Sequence, residues 1–270
     1  MKKYLYLMRV HHYIKNILIF MPLIFSGNLT DRRKFTATLL GMIAFSLVTS
    51  AVYIINDIRD AEKDRMHPTK KNRPIASGAV TPVHAVVLMV FILIAAVVLL
   101  VVSDATAGSY ALVILYLFIN VAYSMGLKDV PLLDVTILAS GFLLRVLFGA
   151  VLTGTEVSEW LYLTVLSGAF YFSLGKRRNE LQKKKDGDTR KVLKYYTRDF
   201  LDKNMYMCLA LLNTFYALWC KDITNAGMEY AMWTVPIVIL ICMKYSLTVE
   251  GNSEGDPVEV LLHDRVLMAL

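Results

Sequence analysis

Long uninterrupted apolar runs constrain this chain more than any other feature of its sequence. They are roughly 17–22 residues long, which is the length that a helix needs to cross the hydrocarbon core of a bilayer. Hydrophobic residues make up 56% of the chain, whereas soluble domains usually hold about 45–50%. A soluble fold would have to bury many helices that are apolar on every side. We therefore predict an integral membrane protein.

The order of apolar and polar stretches predicts an all-α, polytopic transmembrane helical bundle that forms a single domain over residues 1–270. We place eight spanning helices near residues 13–29, 35–56, 83–102, 107–127, 131–152, 158–175, 204–221 and 229–248. The three longest polar stretches, 57–82, 176–203 and 249–265, then all fall on one side of the membrane. Residues 266–270 are too few to span, so they indicate either an end on that side or the beginning of a ninth helix.

Basic residues are distributed very unequally between the two sides. Before residues near the ends are assigned, the side with the long polar stretches carries 22 Lys and Arg residues, and the opposite side carries four, namely Arg32, Arg33, Lys34 and Lys221. Because basic loops are retained in the cytoplasm, we predict a multi-pass protein of the cell (inner) membrane with a cytoplasmic N-terminus and cytoplasmic long loops. Topology thus accounts for the net charge of +7, and we expect contact with membrane lipids and no nucleic-acid partner.

The strongest chemical signal is an acidic face at the end of the second predicted helix. If that helix continues, Asp57, Asp60 and Asp64 lie at positions i, i+3 and i+7 and share one face with Asn56. Three like charges repel each other, and a divalent cation would relieve that repulsion. Mg²⁺ typically binds one or two carboxylates and completes its shell with water and phosphate oxygens. The alternative is a solvated helix end, because basic residues interleave with the acidic ones.

A basic loop follows the acidic face. It reads His-Pro-Thr-Lys-Lys-Asn-Arg-Pro-Ile-Ala-Ser-Gly over residues 67–78, and its prolines and glycine end the helix. Lys70 and Arg73 suit phosphate oxygens, since arginine binds them in bidentate fashion and lysine as a point charge. Carboxylates beside a basic loop predict a site for a metal-bound diphosphate leaving group, which the metal and the basic residues would stabilise together.

These two motifs together resemble the UbiA superfamily of intramembrane prenyltransferases. In detail they are most similar to its polyprenyl-phosphate (decaprenyl-phosphate) phosphoribosyltransferase branch. The likeness continues along the chain in segments 9–16, 123–128 with Asp134, 144–149, 175–181, 255–257 and 264–265. The resemblance implies a UbiA-like fold and Mg²⁺-dependent transfer of 5-phosphoribose from phosphoribosyl diphosphate to a polyprenyl phosphate, with catalytic loops near residues 57–82 and 176–203.

One segment separates the branches of this superfamily. Aromatic prenyltransferases carry a second aspartate-rich motif after the sixth helix, where this chain reads Gly-Lys-Arg-Arg-Asn-Glu. A basic replacement favours an additional phosphate group over a second metal, and a phosphoribosyl donor carries such a phosphate. Lys176, Arg177 and Glu180, at the end of that predicted helix, are therefore substrate-binding candidates.

The remaining candidates come from the resemblance and from one buried charge. The resemblance assigns Lys15, Asn16, Tyr123 and Lys128 to the substrate site, although Lys128 alone also fits an orienting charge at a loop. Arg145 lies inside an apolar helix, where a charge is costly, so we expect it to face a cavity or a partner; the alternative is that it snorkels towards an interface. These join Asn56, Lys70 and Arg73, with Asp57, Asp60 and Asp64 as the catalytic metal ligands. Tyr195, Tyr196 and Trp160 are expected to be interfacial aromatic residues.

Two other functions stay open. A UbiA-type prenyltransferase would move a prenyl group from a prenyl diphosphate to an aromatic acceptor, and a second acidic motif, which this chain lacks, would support that reading. A membrane transporter or lipid-binding protein would use the acidic face as a gate and would leave lipid and sugar phosphate unchanged.

Overall fold

The computed structural model describes residues 2–67, 70–182, 191–225, 228–250, 260, 264 and 266–267, and this described part is helical without any strand. Its α-helices are α1 Lys2–Met8, α2 Met21–Phe25, α3 Arg32–Arg59, α4 Ala61–Arg65, α5 Pro82–Val102, α6 Ala107–Met125, α7 Leu133–Thr153, α8 Glu159–Gln182, α9 Arg198–Asn225 and α10 Val235–Glu250. The predicted all-α class is therefore confirmed. Most of the predicted 249–265 loop and of residues 266–270 lies outside the described residues.

Five helical segments of the described chain are long and apolar enough to cross a membrane. They are α3, α5, α6, α7 and the segment Ala231–Glu250, which contains α10. On α5, Phe91, Ile94 and Val98 are exposed, as expected for side chains that contact lipid. Helices α8 and α9 lie where two further spans are predicted. Each helix extends beyond its apolar run into charged sequence, at the end that is predicted to lie in the cytoplasm. The number of eight spans stays a prediction.

Several predicted boundaries differ from the structure; for example, the predicted helix 204–221 is α9, which begins at Arg198. The predicted first helix, 13–29, is a 3₁₀ segment, Val10–Phe20, followed by the short helix α2. Pro22 lies in the first turn of α2, where its missing N–H is tolerated. The predicted sixth helix ends at residue 175, whereas α8 continues to Gln182. Lys, Arg, Glu and Gln are good helix formers, so a helix can extend beyond its apolar run.

Contacts divide the chain into two compact units. Unit 1 comprises Met1–Met125 and Leu144–Glu156, and unit 2 comprises Gly126–Leu143 and Val157–Leu270. The single domain over residues 1–270 stays a prediction, and each unit is described by itself below.

Unit 1 is built around α3. Its core includes Phe45, whose ring centroid lies 4.7 Å from that of Tyr116 and 5.2 Å from that of Phe148. Next to Phe148, Gly149 lets the two backbones approach closely, because a Cβ there would overlap the carbonyl oxygen of Ile19. The second half of α7 therefore packs directly against the 3₁₀ segment Val10–Phe20.

Unit 2 packs α8 against α9 and α10. Tyr171, Leu174, Leu201 and Tyr245 are buried in one cluster that also contains Tyr196. The prediction that Tyr196 is an interfacial aromatic residue is therefore wrong, since its side chain is 5% exposed. A polar phenol can enter an apolar core when its hydroxyl finds hydrogen-bond partners there.

Candidate active site

The acidic face lies where α3 gives way to α4. Helix α3 ends at Arg59, Asp60 forms the junction, and α4 follows at once. The backbone N–H of Asp60 donates to the carbonyl of Asn56 at 2.9 Å, and that of Asp64 donates to the carbonyl of Asp60 at 2.8 Å. The first bond lies in the last turn of α3 and the second in the first turn of α4, so the two helices meet at Asp60. The predicted continuation of one helix through this segment is therefore interrupted at Asp60.

Two of the three predicted carboxylates converge in this structure. Arg73 Nη1 donates to Asp64 Oδ2 at 2.7 Å and lies 3.4 Å from Asp57 Oδ1. Arg9 Nη2 donates to the same Asp57 oxygen at 2.7 Å. Asp60 lies between them in sequence and is half-buried at the helix junction. We call the set Arg9, Asp57, Asp64 and Arg73 the acidic cluster.

Burial differs between the acids and the bases of the acidic cluster. The side chains of Asp57 and Asp64 are 3% and 6% exposed, whereas those of Arg9 and Arg73 are 21% and 24% exposed. Buried carboxylates need compensating charge, and here the compensation comes from arginines that reach solvent. Cations at the solvent side of two buried carboxylates can be rearranged when a phosphate-bearing ligand arrives.

The donor set of the acidic cluster fits a divalent cation. Among the described residues, no group of three or more Asp, Glu, His or Cys side chains is arranged to hold a metal ion. Mg²⁺ nevertheless commonly uses one or two protein carboxylates and takes its other oxygens from water and substrate phosphate. Asp57 and Asp64 meet that requirement, because both carboxylates face the same nitrogen of Arg73.

Arg9 is a site residue that the sequence reasoning did not select. It has a left-handed backbone (φ 51°) between α1 and the 3₁₀ segment, and its guanidinium lies 4.6 Å from the ring centroid of Tyr53. Tyr53 precedes Asp57 by one helical turn, so one face of α3 holds Arg9 through a ring and a carboxylate. The available signal was its place in segment 9–16, which resembles the opening signature of the UbiA superfamily.

Asn16 and Arg145 form a separate buried cluster in unit 1. Arg145 Nε donates to Asn16 Oδ1 at 2.6 Å, and its Nη2 donates to the hydroxyl of Tyr116 at 3.2 Å. Asn16 Nδ2 donates in turn to Ser46 Oγ at 2.7 Å. Ser46 precedes Asp57 by eleven residues on α3, which places this cluster about 16 Å along the helix from the acidic cluster. Arg145 is 5% exposed, as expected for a charge with partners inside the bundle.

A third polar group, in unit 2, contains Arg177 and Glu180. Arg177 Nε donates to Asp134 Oδ2 at 2.5 Å, and its Nη1 donates to Glu180 Oε2 at 2.8 Å. The hydroxyl of Tyr196 donates to Asp134 Oδ1 at 2.5 Å. Burial and this hydrogen bond raise the pKa of Tyr196 to about 12, so its hydroxyl remains a donor at neutral pH. We call Asp134, Arg177, Glu180 and Tyr196 the closed cluster.

The basic segment of α8 is largely compensated within unit 2. Arg177 is fully buried in the closed cluster, and Arg178, also buried, forms ion pairs with Asp202 and Glu250. Lys176 is half-buried on the same helix. Most of the positive charge that the sequence displays here is therefore paired with acidic side chains far along the chain.

The other candidates occupy the ends of helices and turns. In unit 1, the side-chain oxygen of Asn56 accepts a hydrogen bond from Ser124 on α6, and Tyr123 lies in the last turn of that helix. Lys15 lies in the 3₁₀ segment, and Lys70 begins the exposed turn Lys70–Asn72. In unit 2, Lys128 lies in the turn Leu127–Asp129. Segment 255–257 and Arg265 lie outside the described residues.

Comparison with known proteins places the chain in a family. Residues 17–253 match the UbiA prenyltransferase family, so this chain belongs to that family of membrane transferases. It is 34% identical to the decaprenyl-phosphate phosphoribosyltransferase of Corynebacterium glutamicum, with 97% of this chain and 81% of the relative covered. It is 33% identical to the enzyme of the same name from Mycolicibacterium smegmatis, with 97% and 86% covered.

Solved structures agree with the fold. A UbiA homolog from Archaeoglobus fulgidus bound to GPP and Mg²⁺ superposes with a TM-score of 0.77 at 18% identity, covering 99% of this chain and 95% of the other. The same homolog bound to DMAPP and Mg²⁺ gives a TM-score of 0.73 at 19% identity, covering 91% and 86%. The predicted UbiA-like architecture is confirmed.

Proposed function

We propose that this chain is a Mg²⁺-dependent transferase that moves 5-phosphoribose from phosphoribosyl diphosphate to a polyprenyl phosphate and releases diphosphate. The observation that carries the proposal is the acidic cluster, in which two buried carboxylates converge with two arginines at the end of α3. The names of relatives that match along almost the whole chain support the choice of donor and acceptor.

The proposed reaction exchanges one bond at ribose C1. The bond from C1 to the diphosphate oxygen breaks, and a phosphate oxygen of the lipid bonds to C1. That oxygen is already anionic at neutral pH, so the reaction does not require a strong general base. The site must instead align the two reactants and stabilise negative charge on the departing diphosphate.

The residues of the acidic cluster suit these two tasks. Asp57 and Asp64 would hold Mg²⁺, with Asp60 as a further candidate ligand at the helix junction. Bound Mg²⁺ would neutralise charge on the leaving diphosphate. Arg9 and Arg73 would turn part of their hydrogen bonding from the carboxylates to phosphate oxygens, since a guanidinium binds both groups with the same planar geometry.

Residues beyond the acidic cluster would contact the other phosphate groups. Lys128 and Lys176, which both lie in unit 2, keep their predicted assignment to the substrate site, and we propose them as the cations for the 5-phosphate. Lys70, in its exposed turn, would contact diphosphate oxygens. Phosphoribosyl diphosphate is water-soluble, which is consistent with a site on the cytoplasmic side of the cell membrane.

The remaining candidates keep their predicted assignment to the substrate site, which we carry forward as a proposal for Lys15, Asn16, Asn56, Tyr123, Arg145 and Glu180.

The test is direct transfer in nanodiscs. Purified protein is incubated with phosphoribosyl diphosphate labelled in the ribose, a polyprenyl phosphate and Mg²⁺, and the labelled lipid is extracted. We expect a labelled lipid that disappears when a chelator is added and when Asp57 or Asp64 is replaced by Asn. Glu62→Gln is the matched control, because Glu62 is an exposed acid on α4 beside the cluster and should keep full activity.

Parallel reactions decide between the competing functions. Transfer that occurs only from a prenyl diphosphate to an aromatic acceptor would replace the proposal with the prenyltransferase reading. Unchanged substrates with every donor would favour transport or lipid binding. An Asp57→Asn protein with full activity would refute the assigned site even if transfer occurs.

A further inference from the structure

Tyr196 joins two segments of unit 2 that are far apart in sequence. Its hydroxyl accepts a hydrogen bond from the backbone N–H of Leu132 at 2.8 Å and donates to Asp134 Oδ1 at 2.5 Å. The hydroxyl is therefore donor and acceptor at once, and its two partners lie on either side of Leu133, the first residue of α7. The turn that it contacts, residues 126–132, carries Lys128.

The 126–132 turn depends on outside support. Leu132 has a left-handed backbone, with φ 67°, which is uncommon for a residue with a side chain and persists when its surroundings hold it. Its side chain is 56% exposed, so packing of that side chain contributes little. Backbone hydrogen bonds within the turn join Asp129 to Gly126 and Val130 to Leu127. The hydrogen bond from the N–H of Leu132 to Tyr196 adds a restraint that ties the end of the turn to the core of unit 2.

Tyr196 itself is firmly held. Its ring is buried in the core of unit 2 with Leu193 and Leu201, and it stacks on Phe200 at 5.8 Å between centroids. Asp134, which accepts the hydrogen bond from Tyr196, is fully buried and also binds Arg177 on α8. A rigid chain of contacts therefore runs from the turn through Tyr196 and Asp134 to α8, where Lys176 adjoins Arg177.

We propose that Tyr196 is a positioning residue that fixes the 126–132 turn relative to the end of α8, so that Lys128 and Lys176 are presented together to the donor's phosphate. The inference rests on the proposed function, which assigns both lysines to that phosphate. Tyr196 touches neither substrate in this scheme and acts through the turn. Loosening the turn should therefore weaken donor binding more than it slows the chemical step.

The test compares Tyr196→Phe with Tyr195→Phe in nanodiscs. Phenylalanine keeps the buried ring and removes both hydrogen bonds, whereas Tyr195 is 69% exposed and serves as the matched control. Hydrogen exchange of peptides that cover residues 126–134 should accelerate in Tyr196→Phe alone. The KM for phosphoribosyl diphosphate should rise about tenfold, because the net free energy of about one hydrogen bond that orders the turn is lost. The kcat should change by less than about threefold.

A double variant separates positioning from general destabilisation. If Tyr196 acts through Lys128, adding Tyr196→Phe to Lys128→Ala should raise the KM no further. Full additivity of the two changes, or unchanged exchange at 126–134 in Tyr196→Phe, would overturn the inference. A wild-type protein that transfers no phosphoribose would refute the proposed function, and the exchange measurement would still decide whether Tyr196 holds the turn.

Discussion

The acidic cluster and the closed cluster are built from similar residues, but they differ in how far their arginines are exposed to solvent. In the acidic cluster, the arginines are 21% and 24% exposed and bind two nearly buried aspartates. In the closed cluster, Arg177 and Asp134 are both fully buried. One arrangement leaves its cations at a surface where they can change partners, and the other removes both charges from solvent.

This difference leads us to propose that the acidic cluster carries chemistry and that the buried pair of Arg177 and Asp134 carries structure. A buried pair has already lost its hydration, so removal of one partner leaves an uncompensated charge. A pair whose cation reaches solvent loses less when it is broken, because water can replace the missing partner. Substitutions in the closed cluster should therefore affect stability first, and those in the acidic cluster should affect activity first.

The largest expected effect is on stability, in Arg177→Met. Methionine fills a similar volume but leaves the Asp134 carboxylate buried beside Tyr196 without its cation. We expect the free energy of unfolding to fall by about 3–5 kcal/mol, measured by denaturant titration in mixed micelles. Adding Asp134→Asn should recover part of that loss. A protein as stable as the wild type would show that the closed cluster is not the structural pair described here.

The second expected effect is on catalysis, in Asp57→Asn. The change keeps the shape of the side chain and removes one proposed metal ligand, so kcat should fall by about 10²–10³-fold, which is the usual loss for one strong transition-state contact. Stability should change by less than about 1 kcal/mol, because Arg9 and Arg73 reach solvent. A large loss of stability with unchanged kcat would reverse the roles of the two clusters.

A smaller effect is expected for Arg73→Lys. The charge is kept, but lysine lacks the planar group with which Arg73 would bind phosphate oxygens in bidentate fashion, so kcat/KM should fall about tenfold. Arg65→Lys is a suitable control, since Arg65 Nε donates only weakly, at 3.3 Å, to the carbonyl of Ala76. Equal effects of the two substitutions would show that the position of Arg73 between the carboxylates does not matter.

The smallest expected effect is a dependence of stability on alkaline pH. Folding raises the pKa of Tyr196 to about 12 from 10.0, so the folded protein holds that proton more tightly than the unfolded chain. The resulting stability is complete below pH 10 and is lost as the pH rises towards 12. The difference in unfolding free energy between wild type and Tyr196→Phe should therefore shrink between pH 10 and pH 12. A constant difference would contradict the assigned burial of the phenol.

The features that the sequence predicts best are local ones. The spacing of Asp57 and Asp64 places both on one helical face because helical periodicity depends only on neighbours, and the structure brings both to Arg73. The interruption at Asp60 between α3 and α4 was not predicted. Helix bounds were predicted least well where the helix leaves the apolar run, as at the end of α8.

The missing features are contacts between distant residues. Arg9 and Asp57 are separated by 48 positions, and Arg177 and Asp134 by 43. A single sequence shows the charges of Arg177 and Arg178 but does not show which acidic residues neutralise them. The positive charge available for ligands in this segment is therefore overestimated from sequence. Nothing in the sequence around Tyr196 distinguishes it from other tyrosines near helix ends, because its two hydrogen bonds are to residues more than 60 positions away.

The close approach at Gly149 has a bearing on how variation in this chain is read. Any larger side chain there would collide with the main chain of Ile19, and the displacement would pass to Arg145, one turn away on α7. A saturation mutagenesis screen should therefore find position 149 nearly as intolerant as Asp57, although it lies in the interior and contacts no reactant. Intolerance to substitution would therefore identify both packing positions such as Gly149 and proposed catalytic positions such as Asp57. Measuring protein abundance together with turnover would separate them, because substitutions at a packing position should lower abundance and those at a catalytic position should lower turnover.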